Sequence, residues 1–396
     1  MAISTLDILL GVVALIAVVL RMLQPDQFDD LASRTQPPPF RSDLLQHTVH
    51  RLRRIPLSSL RGGNATALLA PFIATGLCEP VAADDDAPRH MWRGCDPESW
   101  SIAAMRQSFA HAGVEWYAGG MHERAKLERP ARVPLATALD GIVASASGGA
   151  PTVGIAHWNL EAAQWAALVS RLPPLPLSLS RSDDALAPLL NPSAEDDFLL
   201  FHHWRMLIVG ADGAGMFNHV DDFPGGSWQL QLRGRKRWHL CAPTQASFIE
   251  RPMAGGGHVG VDLLRAPDYA AFPVARGADC FVDVVDAGEV IYYPPGWYHQ
   301  TLHTAMCPDD QSGDACTNAE EGSRRGLGDV SVALSETTVP WTDATAVEAA
   351  RTAVSRACTK PIPPHLAPST CEALPALFEA WMSYANDGRD DKPAAA

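Results

Sequence analysis

His219-Val220-Asp221 and, further along the chain, His299 are the residues whose types and spacing could do chemistry. Two imidazoles and one carboxylate form the ligand set of a non-haem Fe(II) site that keeps positions open for a cosubstrate and O2. His219 and Asp221 stand at i and i+2. On a strand or at its end both side chains then point to one face, and a short segment offers two ligands to one metal. Each residue alone has a plainer reading. A single histidine at a strand end is more often structural, Asp221 beside Asp222 suits a turn or cap, and His299 after Gly296-Trp297-Tyr298 suits packing against aromatics. The case rests on all three together with the blocks that flank them.

Those blocks read as short strands. Trp228, Leu230 and Leu232 alternate with Gln229, Gln231 and Arg233, the period of a half-buried strand. Gly234-Arg235 gives a tight turn, and Lys236 to Leu240 begins the next strand. Phe281 to Val285 and Val290 to Tyr293 read as two strands around an Asp286-Ala287-Gly288-Glu289 turn. Pro294-Pro295-Gly296 then delivers Trp297 and His299. Short strands between turn residues predict a mainly β fold with flanking helices, its centre an antiparallel double-sheet barrel of the jelly-roll or cupin kind. Closing such a barrel would bring the early ligand pair to the late histidine.

The block from Ser227 to Pro243 and the block from Gly288 to His299 both resemble the Jumonji C (JmjC) family of 2-oxoglutarate oxygenases. The resemblance covers roughly Phe201 to Ser335 and implies a double-stranded β-helix. It implies that His219, Asp221 and His299 hold Fe(II) and are the catalytic centre, with 2-oxoglutarate and O2 at the open positions. It also implies that Lys236 binds the distal carboxylate of 2-oxoglutarate. Strand alternation fits this, because Arg235 and Arg237 would point opposite to Lys236. Gln229 stands where an Asn is frequent in some relatives and could offer an amide. Met216 replaces a common Thr, and the last barrel strand, Ser331-Val332-Ala333-Leu334-Ser335, lacks a common Asn, so Ser335 or Ser331 would substitute. Trp228, Trp297 and His303 are expected around the ligands. His202 and His203 are read as structural.

The resemblance implies an Fe(II)- and 2-oxoglutarate-dependent dioxygenase. It would be a hydroxylase, or a demethylase that hydroxylates an N-methyl group, with a protein or peptide side chain as first substrate. The alternative is a JmjC-like metal- or partner-binding protein of the secretory pathway without turnover, and Met216 and the missing Asn favour it.

A content of 47% apolar residues in a 396-residue chain supports a sizeable core, and a formal net charge of −14 argues against nucleic acid or membrane headgroups as the main partner. The expected organisation is a signal anchor or signal peptide at 1–24, a lead-in at 25–97 and a barrel domain with a helical N-terminal part at 98–340. A C-terminal helical pair at 341–386 and a disordered tail at 387–396 follow.

Ile8 to Leu20 is an unbroken apolar run, and Ile3 to Leu23 could just cross a bilayer, giving N-terminal membrane association. Arg21 after the run leans toward a cytosolic body. Asn64-Ala65-Thr66 is a glycosylation acceptor if luminal. Cys78 with Cys95, Cys307 with Cys316 and Cys358 with Cys371 form sequence-local pairs, while Cys241 and Cys280 read as buried thiols. The pairs favour an endomembrane location with a luminal body on a single-pass anchor. A cytosolic-facing body is the alternative.

Overall fold

The computed structural model describes residues 47–60, 68–78, 93–121, 130–146, 153–173, 205–221, 225–252, 258–265, 269–304 and 330–338, with a few positions between 348 and 355. The chain divides into two compact units, 1–38 and 39–396, and every described residue belongs to the second. The apolar N-terminal run, Asn64, His202, His203, the pairs Cys307–Cys316 and Cys358–Cys371, and the tail lie outside the described residues, as does most of the C-terminal helical pair. No helix among the described residues is long and apolar enough to cross a membrane.

Three short strands come first: β1 (Thr48–His50), β2 (Arg53–Pro56) and β3 (Phe72–Thr75). The lead-in expected at 25–97 thus contributes strands. β1 runs parallel to residues 279–281, and β3 pairs with residues 290–292, far along the chain. Such non-local pairing leaves no local period to read. The lead-in therefore belongs to the two main sheets.

Next come β4 (Gly113–Tyr117), β5 (Ala131–Pro134) and β6 (Ile155–Asn159), interleaved with helices Ile102–Phe109, Leu135–Ala146 and Ala162–Val169. Ser101 caps the first helix by accepting the Ala104 N–H. The second helix starts at Leu135, directly after Val133 and Pro134 close β5. The third helix runs from Ala162 to Val169, and its Trp165 packs on Trp228 with ring centroids 5.9 Å apart.

The barrel strands are β7 (Arg205–Ala211), β8 (Gly215–His219), β9 (Gly226–Arg233), β10 (Arg235–Cys241), β11 (Glu250–Pro252), β12 (His258–Gly260), β13 (Asp279–Val285), β14 (Val290–Tyr293), β15 (Tyr298–Thr304) and β16 (Val330–Thr338). One sheet runs β1-β13-β10-β15-β8, and the larger runs β2-β3-β14-β9-β16-β7-β6-β4-β5. β11 and β12 pair in a small sheet of their own; of the others, β7, β9, β14 and β16 lie in the larger sheet and β8, β10, β13 and β15 in the smaller. This is the jelly-roll arrangement of a cupin, with the two sheets face to face and not hydrogen-bonded into a closed ring. Gly234 makes the corner between β9 and β10. Its φ is +66°, and an added Cβ would stand 2.9 Å from the Val330 carbonyl oxygen.

Apolar clusters hold these layers. Met105, Leu139, Trp158, Leu207, Trp228 and Leu230 join the helices to the outside of the larger sheet. Leu52, Ile73, Trp238, Leu240, Ile291 and Tyr293 fill one side of the barrel interior. Ile249, Val261, Leu263, Tyr269, Cys241 and Cys280 cover the outside of the smaller sheet. Cys78 and Cys95 form the expected disulfide. Cys241 and Cys280, expected as thiols, also form one. They are Cα partners across β10 and β13, a register that separation in sequence does not reveal.

Candidate active site

β8 ends at His219, Asp221 follows at once, and His299 sits on β15 as the Cα partner of His219. The fold thus brings together the three residues singled out from sequence. The Asp221 Oδ1 lies 3.6 Å from His219 Nε2 and 3.5 Å from His299 Nε2, and the imidazole centroids are 4.1 Å apart. His219 Nδ1 stands 2.8 Å from the Phe217 carbonyl, and His299 Nδ1 stands 3.1 Å from the Trp297 carbonyl. A carbonyl only accepts, so both rings donate Nδ1–H and keep the Nε2 lone pair for the centre. Each ring is therefore fixed by a backbone group two residues upstream on its own segment.

Electrostatics fit that arrangement. Burial, helped by the His219 imidazole, lowers the His299 pKa to about 4, so the ring is neutral at pH 7. Burial alone would raise Asp221, but the imidazoles of His299 and His219 and the Tyr293 hydroxyl outweigh it and hold the carboxyl below its ordinary value. Ser227 and Tyr293 donate to its Oδ2 at 3.3 and 3.2 Å. One acidic and two neutral donors, all within 4.8 Å of one another, could hold a divalent metal.

Lys236 faces the same interior and is 1% exposed. Its ammonium donates to Gln229 Oε1 at 2.9 Å and lies 5.8 Å from the Trp238 ring. Burial lowers its pKa to about 7. Arg235 turns the other way to pair with Asp286, as alternation requires. Arg233 leaves the interior after a β-bulge and donates to Glu98 at 2.7 Å. Ser335, opposite Gln229 on β16, is fully buried and donates to the Trp228 carbonyl at 3.3 Å. His303 is the Cα partner of Lys236. Its ring packs against Gly210, where a Cβ would come within 2.6 Å of Nδ1.

The expected role of Trp228 beside the ligands is corrected. Ser227, Gln229 and Gln231 face the interior, so Trp228 faces outward onto Trp165. The usual pattern is inverted, with the polar face of β9 turned to Asp221 and Lys236 and the apolar face meeting the helices. Trp297 packs on Phe281, and only its carbonyl touches a ligand ring. Met216 pairs with Thr301 and packs toward the core of the larger sheet.

Three contributors were not picked out from sequence. Ser227 and Tyr293 were within the matched blocks, but only geometry shows their hydroxyls on Asp221. His157 on β6 is buried, and its pKa is lowered to about 3, first by burial and then by its closeness to Lys236 and His219. It lies before the motif region, and no sequence signal marks it.

A family profile described as a cupin-like domain matches residues 187–318. The 2-oxoglutarate and iron-dependent oxygenase JMJD4 of Gallus gallus is 29% identical over 108 residues, 27% of this chain and 25% of that protein. The arginine-specific demethylase JMJ20 of Arabidopsis thaliana is 28% identical over 101 residues, 25% of this chain and 21% of that protein. The bifunctional lysine-specific demethylase and histidyl-hydroxylase NO66 of Drosophila willistoni is 29% identical over 98 residues, 25% of this chain and 11% of that protein. The chain spans a quarter or less of the length of these relatives. The matched region contains β7 to β15 and the converging His219, Asp221 and His299, so the chain carries a cupin-like domain, similar in sequence to these JmjC oxygenases.

Proposed function

We propose that the barrel interior binds Fe(II) and 2-oxoglutarate, and that the protein is an oxygenase acting on a side chain of a protein or peptide. One juxtaposition carries the reading. Three converging N, N and O donors share the barrel interior with a fully buried lysine whose hydrogen-bond partner is a neutral amide. A buried ammonium that meets an amide oxygen and a ring face but no carboxylate among the described residues is costly. A dicarboxylate reaching from the triad to Lys236 would supply the missing charge.

When bound, Fe(II) with 2-oxoglutarate and O2 supplies oxidation of a substrate C–H bond, with release of succinate and CO2. The chain's own residues set the geometry. His219 and His299 would be the neutral nitrogen ligands, oriented by the Phe217 and Trp297 carbonyls. Asp221 would be the anionic ligand, steadied by Ser227 and Tyr293. Lys236 and Gln229 would fix the distal carboxylate, with Ser335 beside them, while Trp238, Leu240 and Ile291 keep that side of the barrel dry.

JMJD4 is named as 2-oxoglutarate and iron-dependent, and JMJ20 and NO66 are named as a demethylase and as a demethylase and histidyl-hydroxylase. Those names support hydroxylation of a protein side chain, or demethylation through it. The net charge of −14 suits a basic peptide. A luminal body on a membrane anchor is the proposed location. A glycosidase shift at Asn64 in cell-made protein would support it, and an unshifted band would favour the cytosolic orientation.

The test is succinate formation from 2-oxoglutarate by purified protein with Fe(II), since uncoupled turnover needs no known substrate. Succinate should form in wild type and not in Asp221→Ala. If neither succinate nor 2-oxoglutarate binding is seen, a barrel that holds metal or a partner without turnover takes over. Met216 and Ala333, whose side chains lack the polar groups common at those places, favour that second reading.

A further inference from the structure

The outside of the smaller sheet carries a second set of metal-ligating groups. His239 and Cys241 stand at i and i+2 on β10, and Cys280 lies directly opposite Cys241 on β13. His239 Nδ1 and the two Sγ atoms all lie within 4.8 Å of one another. All three residues are fully buried, beneath Ile249, Val261, Leu263 and Tyr269.

His239 is held from its far side. Its Nε2 lies 2.9 Å from His47 Nε2, and His47 Nδ1 lies 2.6 Å from the Tyr269 hydroxyl. With its proton on Nε2, donated to His47, His239 keeps the Nδ1 lone pair aimed at the sulfurs. Nδ1 is 3.6 Å from Cys241 Sγ. Two ligands on a tetrahedral zinc, with Zn–N about 2.0–2.1 Å and Zn–S about 2.3 Å, stand about 3.6 Å apart. A ligand histidine whose other nitrogen is fixed by a partner is the usual supporting arrangement of a metal site.

We propose that, when the Cys241–Cys280 disulfide is reduced, His239, Cys241 and Cys280 bind one divalent cation of the zinc class, separate from the site inside the barrel. The reductant is a dithiol. Two electrons and two protons pass to the protein sulfurs, the S–S bond breaks, and the dithiol leaves as its cyclic disulfide. The cation then displaces both thiol protons, so two thiolates neutralise its two charges in the apolar shell. A water completes four-coordination. The soft sulfur donors favour zinc over the harder cations that suit carboxylates.

The test uses the full chain, freed of metal, with Co(II) as the probe. A thiolate–cobalt bond gives a near-ultraviolet charge-transfer absorption that the His219, Asp221 and His299 donors cannot give. Dithiol-treated protein should show the band, saturating at one cobalt per chain and bleached by excess zinc. Untreated protein should not. The reduced double variant Cys241→Ser with Cys280→Ser should lack the band, whereas reduced Cys78→Ser with Cys95→Ser should keep it. If the first variant loses its near-ultraviolet circular dichroism, His239→Gln serves instead, with cobalt affinity expected to fall at least tenfold. Reduced wild type with free Cys241 and Cys280 thiols and no band would overturn the proposal. So would a band unchanged in these Cys241/Cys280 or His239 variants, or a Cys241–Cys280 bond that survives dithiol in the folded protein.

Discussion

Lys236, Trp238 and Leu240 line the barrel interior, whereas His239 and Cys241, which alternate with them on β10, look out from the other side of the smaller sheet. Both faces gather potential metal ligands through the same i, i+2 spacing and one cross-strand partner. Inside, His219, Asp221 and His299 offer nitrogen and carboxylate donors beside the hydroxyls of Ser227 and Tyr293. Outside, His239, Cys241 and Cys280 offer nitrogen and sulfur under an apolar cover. The two also differ in what orients the imidazoles. The inner rings lean on carbonyls two residues upstream, while His239 leans on His47 and, through it, Tyr269, both distant in sequence. A site supported by its own segment can be written as a motif. A site supported by remote side chains exists only once the fold has formed.

Breaking the inner face should have the largest effect. Asp221→Ala should lose stoichiometric iron and all succinate formation, with the circular dichroism of the barrel unchanged, because the apolar clusters do not use that carboxylate. Metal analysis after gel filtration checks this, and iron at the wild-type level would remove Asp221 from the ligand set.

Lys236→Ala should raise the KM for 2-oxoglutarate at least tenfold. A charge-assisted bond contributes about 1.5–3 kcal/mol, or roughly ten- to a hundred-fold in affinity. Lys236→Arg should recover little, since a longer planar guanidinium does not fit where an ammonium meets Gln229. Steady-state kinetics with varied 2-oxoglutarate measures both, and an unchanged KM in Lys236→Ala would assign the carboxylate to another cation.

The same lysine sharpens the comparison through pH. Its pKa in the ligand-free fold is lowered by burial to about 7, and a bound carboxylate would raise it. Above pH 7, 2-oxoglutarate binding should therefore take up a proton, and affinity should fall as pH rises, by up to about tenfold per unit. Calorimetry in buffers of different ionisation enthalpy reads that uptake directly. Lys236→Ala should show none.

The smallest effect is expected at a supporting group. Tyr293→Phe removes one of two hydroxyls from Asp221 Oδ2, and Ser227 remains. Loss of such a partner typically costs 10- to 100-fold in metal affinity, so about tenfold is expected here. Iron titration against a competing chelator measures it, and no change would mean that Ser227 alone orients the carboxylate.

Much of the barrel was legible because its strands are bounded by turn residues and its ligands stand in short segments. β9, β10, β13 and β14 lie close to where alternation and glycine turns put them. Lys236 turns inward as alternation requires. β1 to β3 escaped, since β1 and β3 pair with segments more than two hundred residues away and β2, a short strand with exposed arginines, only adds an edge beside β3. Trp228 was assigned to the wrong side because a polar cavity reverses the rule that polar faces meet water. The Cys241–Cys280 bond escaped because it depends on the β10–β13 register. His157 approaches the site from β6, beyond any local pattern.

The central claim is that one cavity holds both metal and cosubstrate, and anaerobic spectroscopy tests it most directly. An α-keto acid chelated to Fe(II) absorbs visible light through metal-to-ligand charge transfer. Iron-loaded wild type titrated with 2-oxoglutarate should develop that absorption, Asp221→Ala should not, and Lys236→Ala should need at least tenfold more cosubstrate to reach it. Wild-type protein that retains iron yet stays colourless at saturating 2-oxoglutarate would contradict the account.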